Sequence, residues 1–219
     1  MALRALSRRR EQWIEGARVV FALAAAMWVV EVVDSLDSHR LDSDGIVPRS
    51  ASHLYGIVFA PFLHASWGHL IANTIPFVLL GLTIAVASAV RIVAVTAIVA
   101  LASGLGTWLT APAGSVTLGA SGVVFGYATY LISRGVFNRR IGELAIGVVV
   151  AVLFGGALLW GLLPHSGISW QAHLFGGIGG VLAARMLAAP RAGARDQPAT
   201  VSPERLRQFE RAHSRAEQG

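Results

Sequence analysis

The 219 residues are 54% hydrophobic and only 14% charged, with a mean hydropathy of +0.60, against about 25% charged in an ordinary soluble domain. One soluble core of this length cannot hide so much apolar surface, whereas several bilayer spans of roughly 20 residues each can. The chain has no cysteine, which excludes a disulfide framework, a thiolate metal site and a cysteine nucleophile.

In chain order, apolar runs fall at 19–36, 70–90, 92–109, 116–132, 141–163 and 172–189. They predict an all-α polytopic membrane protein, a bundle of six transmembrane helices over 19–189, with a basic N-terminus (1–18) and an Arg-rich tail (190–219). The first run is the weakest, because Glu31 and Asp34 sit in its last turns. A signal peptide is disfavoured: no small-residue cleavage site follows, and the next segment is not a soluble domain. The long connection 37–68 holds Asp37, Asp42 and Asp44, then an apolar stretch from Leu54 to Leu63 and Trp67. It reads as an interfacial segment with Trp67 at headgroup level. Pro76 in the second run is expected to bend that helix just below Asn73. The connections 110–114 and 164–171 carry no formal charge, and the second is a candidate lid. The tail is expected to form a surface helix over 203–217.

The formal net charge is +6 and the pI about 11.1. All basic residues are arginines, and all but Arg40 and Arg49 fall before the first run, in the second and fourth connections, or at and beyond the end of the sixth run. The positive-inside rule then puts both termini in the cytoplasm of a cell inner (plasma) membrane protein. The basic charge reflects topology and anionic headgroups, and no nucleic-acid partner is expected.

That orientation makes the second, fourth and sixth runs start at the outer face. His69 and Asn73 lie in the first turns of the second, Ser121 about five residues or roughly 7 Å into the fourth, and His173 at the start of the sixth. Polar groups at such depth are functional candidates. His69 and Asn73 are four apart and share a helix face. Gly122-x-x-x-Gly126 and Gly176-x-x-x-Gly180 offer small-residue seams that would bring Ser121 to His173. Each residue alone has a plain structural reading as interhelical glue; four at one depth suggest chemistry. A serine becomes nucleophilic when a base takes its proton, and His173 is the base available. No carboxylate lies near it in the pattern, so a Ser–His dyad is expected. The Ser121 N–H, the helix dipole, the Asn73 amide and the His69 imidazole would supply donors to an oxyanion. His64 reads as structural. No HExxH occurs and no carboxylate neighbours His64 or His69, so neither a metal nor another cofactor is expected. The GxSxG elbow of soluble hydrolases does not fit, because Val123 stands where its last glycine would be.

Gly119-Ala120-Ser121-Gly122, the segment His64-x4-His69-x3-Asn73, and Ala172-His173-x2-Gly176-x3-Gly180 together resemble the GxSG, HxxxxHxxxN and AHxxGxxxG motifs of the rhomboid family of intramembrane serine proteases, over about residues 45–185. The resemblance implies Ser121 as nucleophile, His173 as base, and His69, Asn73 and the Gly119–Ser121 backbone around the oxyanion. It implies transmembrane-helix substrates in the lipid bilayer, cut near small or helix-destabilising residues at the outer face. Two departures stand out. Tyr55-Gly56 occupies the place of a frequent Trp-Arg pair, and Phe125 stands where a tyrosine is common, still able to stack on His173. The competing readings are a catalytically silent relative that binds membrane helices and a small transporter. The transporter reading predicts mid-membrane charges that the pattern lacks.

Overall fold

The structure is a computed structural model that describes residues 2–188, and among these every regular element is helical, with two isolated β-bridges besides. Four of the apolar runs form helices long and apolar enough to cross a membrane: α1 (Ala2–Leu36), α3 (Trp67–Ala85), α4 (Ala89–Thr110) and α6 (Ile141–Gly161). The expectation of six such spans is met only in part. Seven α-helices are present among the described residues, but α2 (Gly56–Phe59) is a single turn, and α5 (Ser121–Asn138, 18 residues) and α7 (Trp170–Met186, 17 residues) fall short of the same test of length and apolarity. At 1.5 Å per residue they reach about 27 and 25 Å, less than the roughly 30 Å hydrocarbon layer. α1 runs unbroken from Ala2 through the basic N-terminal residues into the first apolar run. The tail 190–219 and its expected helix lie outside the described residues.

Helix starts follow side-chain caps. Ser66 Oγ accepts the His69 N–H at 3.2 Å, Ser88 Oγ the Arg91 N–H at 3.1 Å and Ser169 Oγ the Ala172 N–H at 3.3 Å; such caps are each worth about 1 kcal/mol. α3 continues through Pro76. α5 differs from the sequence expectation: it begins at Ser121, not near 116, so Ser121 is its first residue and not its second turn. The preceding residues are used otherwise. Thr117 exchanges backbone hydrogen bonds with Ile46 (2.8 and 3.0 Å), and Gly119 takes φ +109°, a conformation L side chains rarely adopt.

α5 lies at the centre, buried without a break from Gly122 to Ala128, with α3, α4, α6 and α7 against it and α1 packed on α3 and α4. Leu70, Ile84, Ile92, Val95, Val99, Tyr127 and Tyr130 form the heart of the core. Its two fully buried tyrosine hydroxyls are paired: Tyr127 with Thr96 Oγ1 at 2.5 Å, and Tyr130 as acceptor from Arg91, which also donates to Leu187 O at 2.9 Å. The long loop between α1 and α3 folds onto the C-terminal end of α4. Arg49 donates to Leu109 O (3.2 Å) and Ala111 O (2.9 Å), and Trp108 Nε1 donates to Ser50 O (3.1 Å), so otherwise unpaired terminal carbonyls are satisfied. α6 packs on α5 and turns Val148, Val149, Val152, Leu153, Leu159 and Trp160 outward, all exposed. That apolar face is too large for water and suited to lipid.

Candidate active site

The N-terminal ends of α3 and α5 meet at Gly119. A Cβ there would stand 2.8 Å from His69 Nε2 and 3.5 Å from Asn73 Nδ2, so glycine is required by space as well as by its positive φ. Gly119 N–H donates to Ala60 O at 2.8 Å, and Ala120 N–H to His64 Nε2 at 3.5 Å. The next three amides have nothing comparable. α5 starts after Ala120, which has no cap oxygen, and its first helical hydrogen bond runs from Val124 N–H to Ala120 O at 3.0 Å. Among the described residues, the Ser121, Gly122 and Val123 N–H groups have no backbone acceptor, as at any helix start. Asn73, 5% exposed, also has its buried Nδ2 without a partner. Unused donors therefore gather at the positive end of the helix that carries Ser121.

His173 enters from α7, three residues past Trp170. Its Nδ1 lies 2.7 Å from Gly161 O at the end of α6. A carbonyl only accepts, so this bond assigns the ring proton to Nδ1 and leaves the Nε2 lone pair free. Phe125, one turn below Ser121, stacks on the imidazole with centroids 4.0 Å apart and planes 7° from parallel. Gly161 is confined by this arrangement: a Cβ would come within 2.8 Å of His173 Nδ1 and collide with the Phe125 ring. Burial, the stacked ring and the Gly161 carbonyl hold the imidazole in one orientation.

The two GxxxG seams face each other. A Cβ on Gly176 would collide with Gly122 O and one on Gly180 with Gly126 O, while Cβ atoms on Gly122 and Gly126 would stand 3.0 Å from Ala172 O and 2.8 Å from Gly176 O. Ser103 Oγ on α4 donates to Ala172 O at 2.9 Å and fixes the α7 backbone beside His173 from behind. α5 and α7 thus meet backbone to backbone, with Ser121 and His173 adjoining the Gly122–Ala172 contact. Among the described residues no hydrogen bond joins Ser121 Oγ to the His173 ring. A serine hydroxyl turns freely about χ1, and such bonds are commonly long before substrate binds.

A cavity of about 490 Å³ lies over the site, lined by His69, Thr117, Leu118, His165, Ser169 and Gln171 among others. It reaches His69 and the approach to Gly119, not the Ser121 side chain itself. The connection between α6 and α7 forms one wall. Ser103 and Gly161 were missed in the sequence reading. Both sit in apolar runs as small residues, and only the packing of α4 and α6 around His173 shows their use. The family model of the Rhomboid domain matches residues 51–190. An uncharacterized protein of Mycobacterium tuberculosis is 42% identical over 196 residues, 85% of this chain and 81% of its own; one of Mycobacterium leprae is 42% identical over 191 residues, 83% and 75% respectively. The Bacillus subtilis protein named "Putative rhomboid protease YdcA" is 31% identical over 122 residues, 55% of this chain and 60% of its own.

Proposed function

Because this chain belongs to the rhomboid family of multi-pass membrane proteins, we propose that it is an intramembrane serine endopeptidase working through a Ser121–His173 dyad. The observation that carries the reading is the collection of donors without acceptors around Ser121: buried Asn73 Nδ2 beside Gly119, and the first amides of α5 after an uncapped Ala120. An apolar environment makes unused donors costly, and a transient oxyanion is the acceptor they fit. Each such donor is worth about 3–4 kcal/mol to the transition state.

In this mechanism the Ser121 hydroxyl attacks the carbonyl carbon of the scissile peptide bond while His173 Nε2 takes its proton. The Gly161 carbonyl, on Nδ1, holds the ring in the productive tautomer in place of a carboxylate. The negative oxygen that forms is met by the Asn73 amide, the His69 ring and the α5 amides. Collapse breaks the C–N bond, and the His173 proton goes to the leaving amine. Water from the cavity then attacks the acyl ester while His173 takes its proton; the ester C–O bond breaks, and His173 returns the proton to Ser121 Oγ as the carboxylic acid product leaves. Substrates are transmembrane helices of other proteins, unwound near small residues at the outer face. α5 and α7 complete a six-helix bundle with both termini cytoplasmic.

A fluorophosphonate probe distinguishes this enzyme from a silent helix-binding relative. The wild-type protein in micelles should label stoichiometrically, and Ser121→Ala and His173→Ala should not. An unlabelled wild-type protein, or label retained in Ser121→Ala, would end the proposal.

A further inference from the structure

Away from Ser121, the outer end of α1 gathers buried acids around the His39 imidazole. Glu31 and Asp34, three apart on one helix face, are each 1% exposed. After Leu36 the chain passes through left-handed Ser38 (φ 59°) and His39 (φ 58°), and His39 N–H donates to Asp34 O at 2.8 Å. This folds the His39 ring back so that Nδ1 lies 3.4 Å from Asp34 Oδ2. The Leu41 N–H holds the other oxygen, Oδ1, at 2.7 Å, and the 3₁₀ turn Leu41–Asp44 then delivers Asp42. One ligand atom each from Asp34, His39 and Asp42 lies within 4.8 Å of the others. We propose that these three residues, with the Glu31 carboxylate behind them, bind a divalent transition-metal ion that clamps α1 to the first outer loop.

The independent support is a set of orphaned acceptors. Both Glu31 oxygens, Asp34 Oδ2 and Asp42 Oδ1 are buried without a hydrogen-bond partner among the described residues. Arg40 is spent on exposed Asp37 at 3.6 Å. Buried carboxylates that face one another must take up a proton or a cation. An imidazole among carboxylates selects a first-row transition ion over calcium or magnesium, which prefer all-oxygen sets. At metal–ligand distances of about 2.0–2.2 Å, tetrahedral ligand atoms stand about 3.3–3.6 Å apart, so atoms now within 4.8 Å of one another close with shifts of up to about an ångström. His39, with its side chain 45% exposed, gives the ion a way in. This cluster shares no residue with His64 and His69, whose spacing and lack of neighbouring carboxylates disfavour a metal. The clamp would act on the loop that pairs Ile46 with Thr117, just ahead of the Ser121 motif.

The test is titration of chelator-stripped, full-length protein in micelles with Zn²⁺, read by metal analysis after dialysis and by thermal unfolding. One Zn²⁺ per chain and a raised melting temperature are expected. His39→Ala, at a half-exposed position that threatens no core, and Asp42→Asn should each weaken binding about tenfold or more. Several results would overturn the proposal. They are no stoichiometric Zn²⁺, equal binding by both variants and wild type, or Ca²⁺ binding as tightly and surviving His39→Ala. A metal-free melting temperature that rises in Asp42→Asn while wild type ignores Zn²⁺ would also overturn it, since it would mean a proton shared by the acids.

Discussion

His64 has no place in the proton transfers, yet it supports the turn that presents Ser121. Its Nε2 accepts the Ala120 N–H at 3.5 Å, and its ring meets His69 edge to face with centroids 5.1 Å apart. An imidazole can accept there only while that nitrogen is unprotonated. Burial first, then the neighbouring His69, push its pKa from 6.5 down to about 4. Between those values the unfolded chain binds a proton that the folded chain refuses. Stability from this group is therefore complete above pH 6.5 and is lost as pH falls toward 4, on the order of 3 kcal/mol in all. His64→Gln keeps an acceptor without the titration. Unfolding midpoints of wild type and variant, measured in micelles from pH 7.5 to 4.5, should diverge: wild type falls more steeply. Parallel curves would show that His64 is not held neutral.

At the scale of helices, the contact between α5 and α7 decides whether Ser121 and His173 are neighbours at all. Dispersion between close backbones, not exclusion of water, holds such a pair in lipid. Gly176 and Gly177 make an internal comparison. A Cβ on Gly176 collides with Gly122 O, whereas one on Gly177 finds only Thr129 Cγ2 at 3.5 Å, an ordinary contact. Gly176→Ala should cost about 1–3 kcal/mol and lower the melting temperature in micelles, while Gly177→Ala should be neutral or slightly stabilising. Equal effects would mean that α7 does not seat on α5 as described. The apolar runs, the glycine seams and the polar residues at three helix starts were legible in the sequence because periodicity and spacing encode them directly. The start of α5 was not. The stretch from Val116 to Ala120 reads as helix by apolarity, and only the partners of Thr117, Gly119 and Ala120, which are Ile46, Ala60 and His64 in turn, pull it out of one. Gly161 and Ser103 were illegible for the same reason: each serves a contact made across the fold.

For the molecule as a whole, the two short helices explain how a hydrolytic site would reach water. α5 and α7 each begin below a connecting segment, 111–120 before one and 162–169 before the other, and the cavity of about 490 Å³ lies among those segments. Chain that would have been the outer turn of a full span is irregular instead, which is tolerable at membrane depth only where it is covered by protein or lines a wet cavity. The arrangement fits the proposed orientation, in which this end of the bundle faces the outside as the positive-inside rule predicts from the arginines. The absence of cysteine makes that testable without background. Ala113→Cys, exposed between α4 and α5, should react with a membrane-impermeant maleimide in intact bacterial cells. Arg140→Cys, exposed between α5 and α6, should react only after the membrane is permeabilised. The reverse pattern would put the donors around Ser121 on the cytoplasmic side, and labelling of both in intact cells would mean that α5 does not cross the membrane.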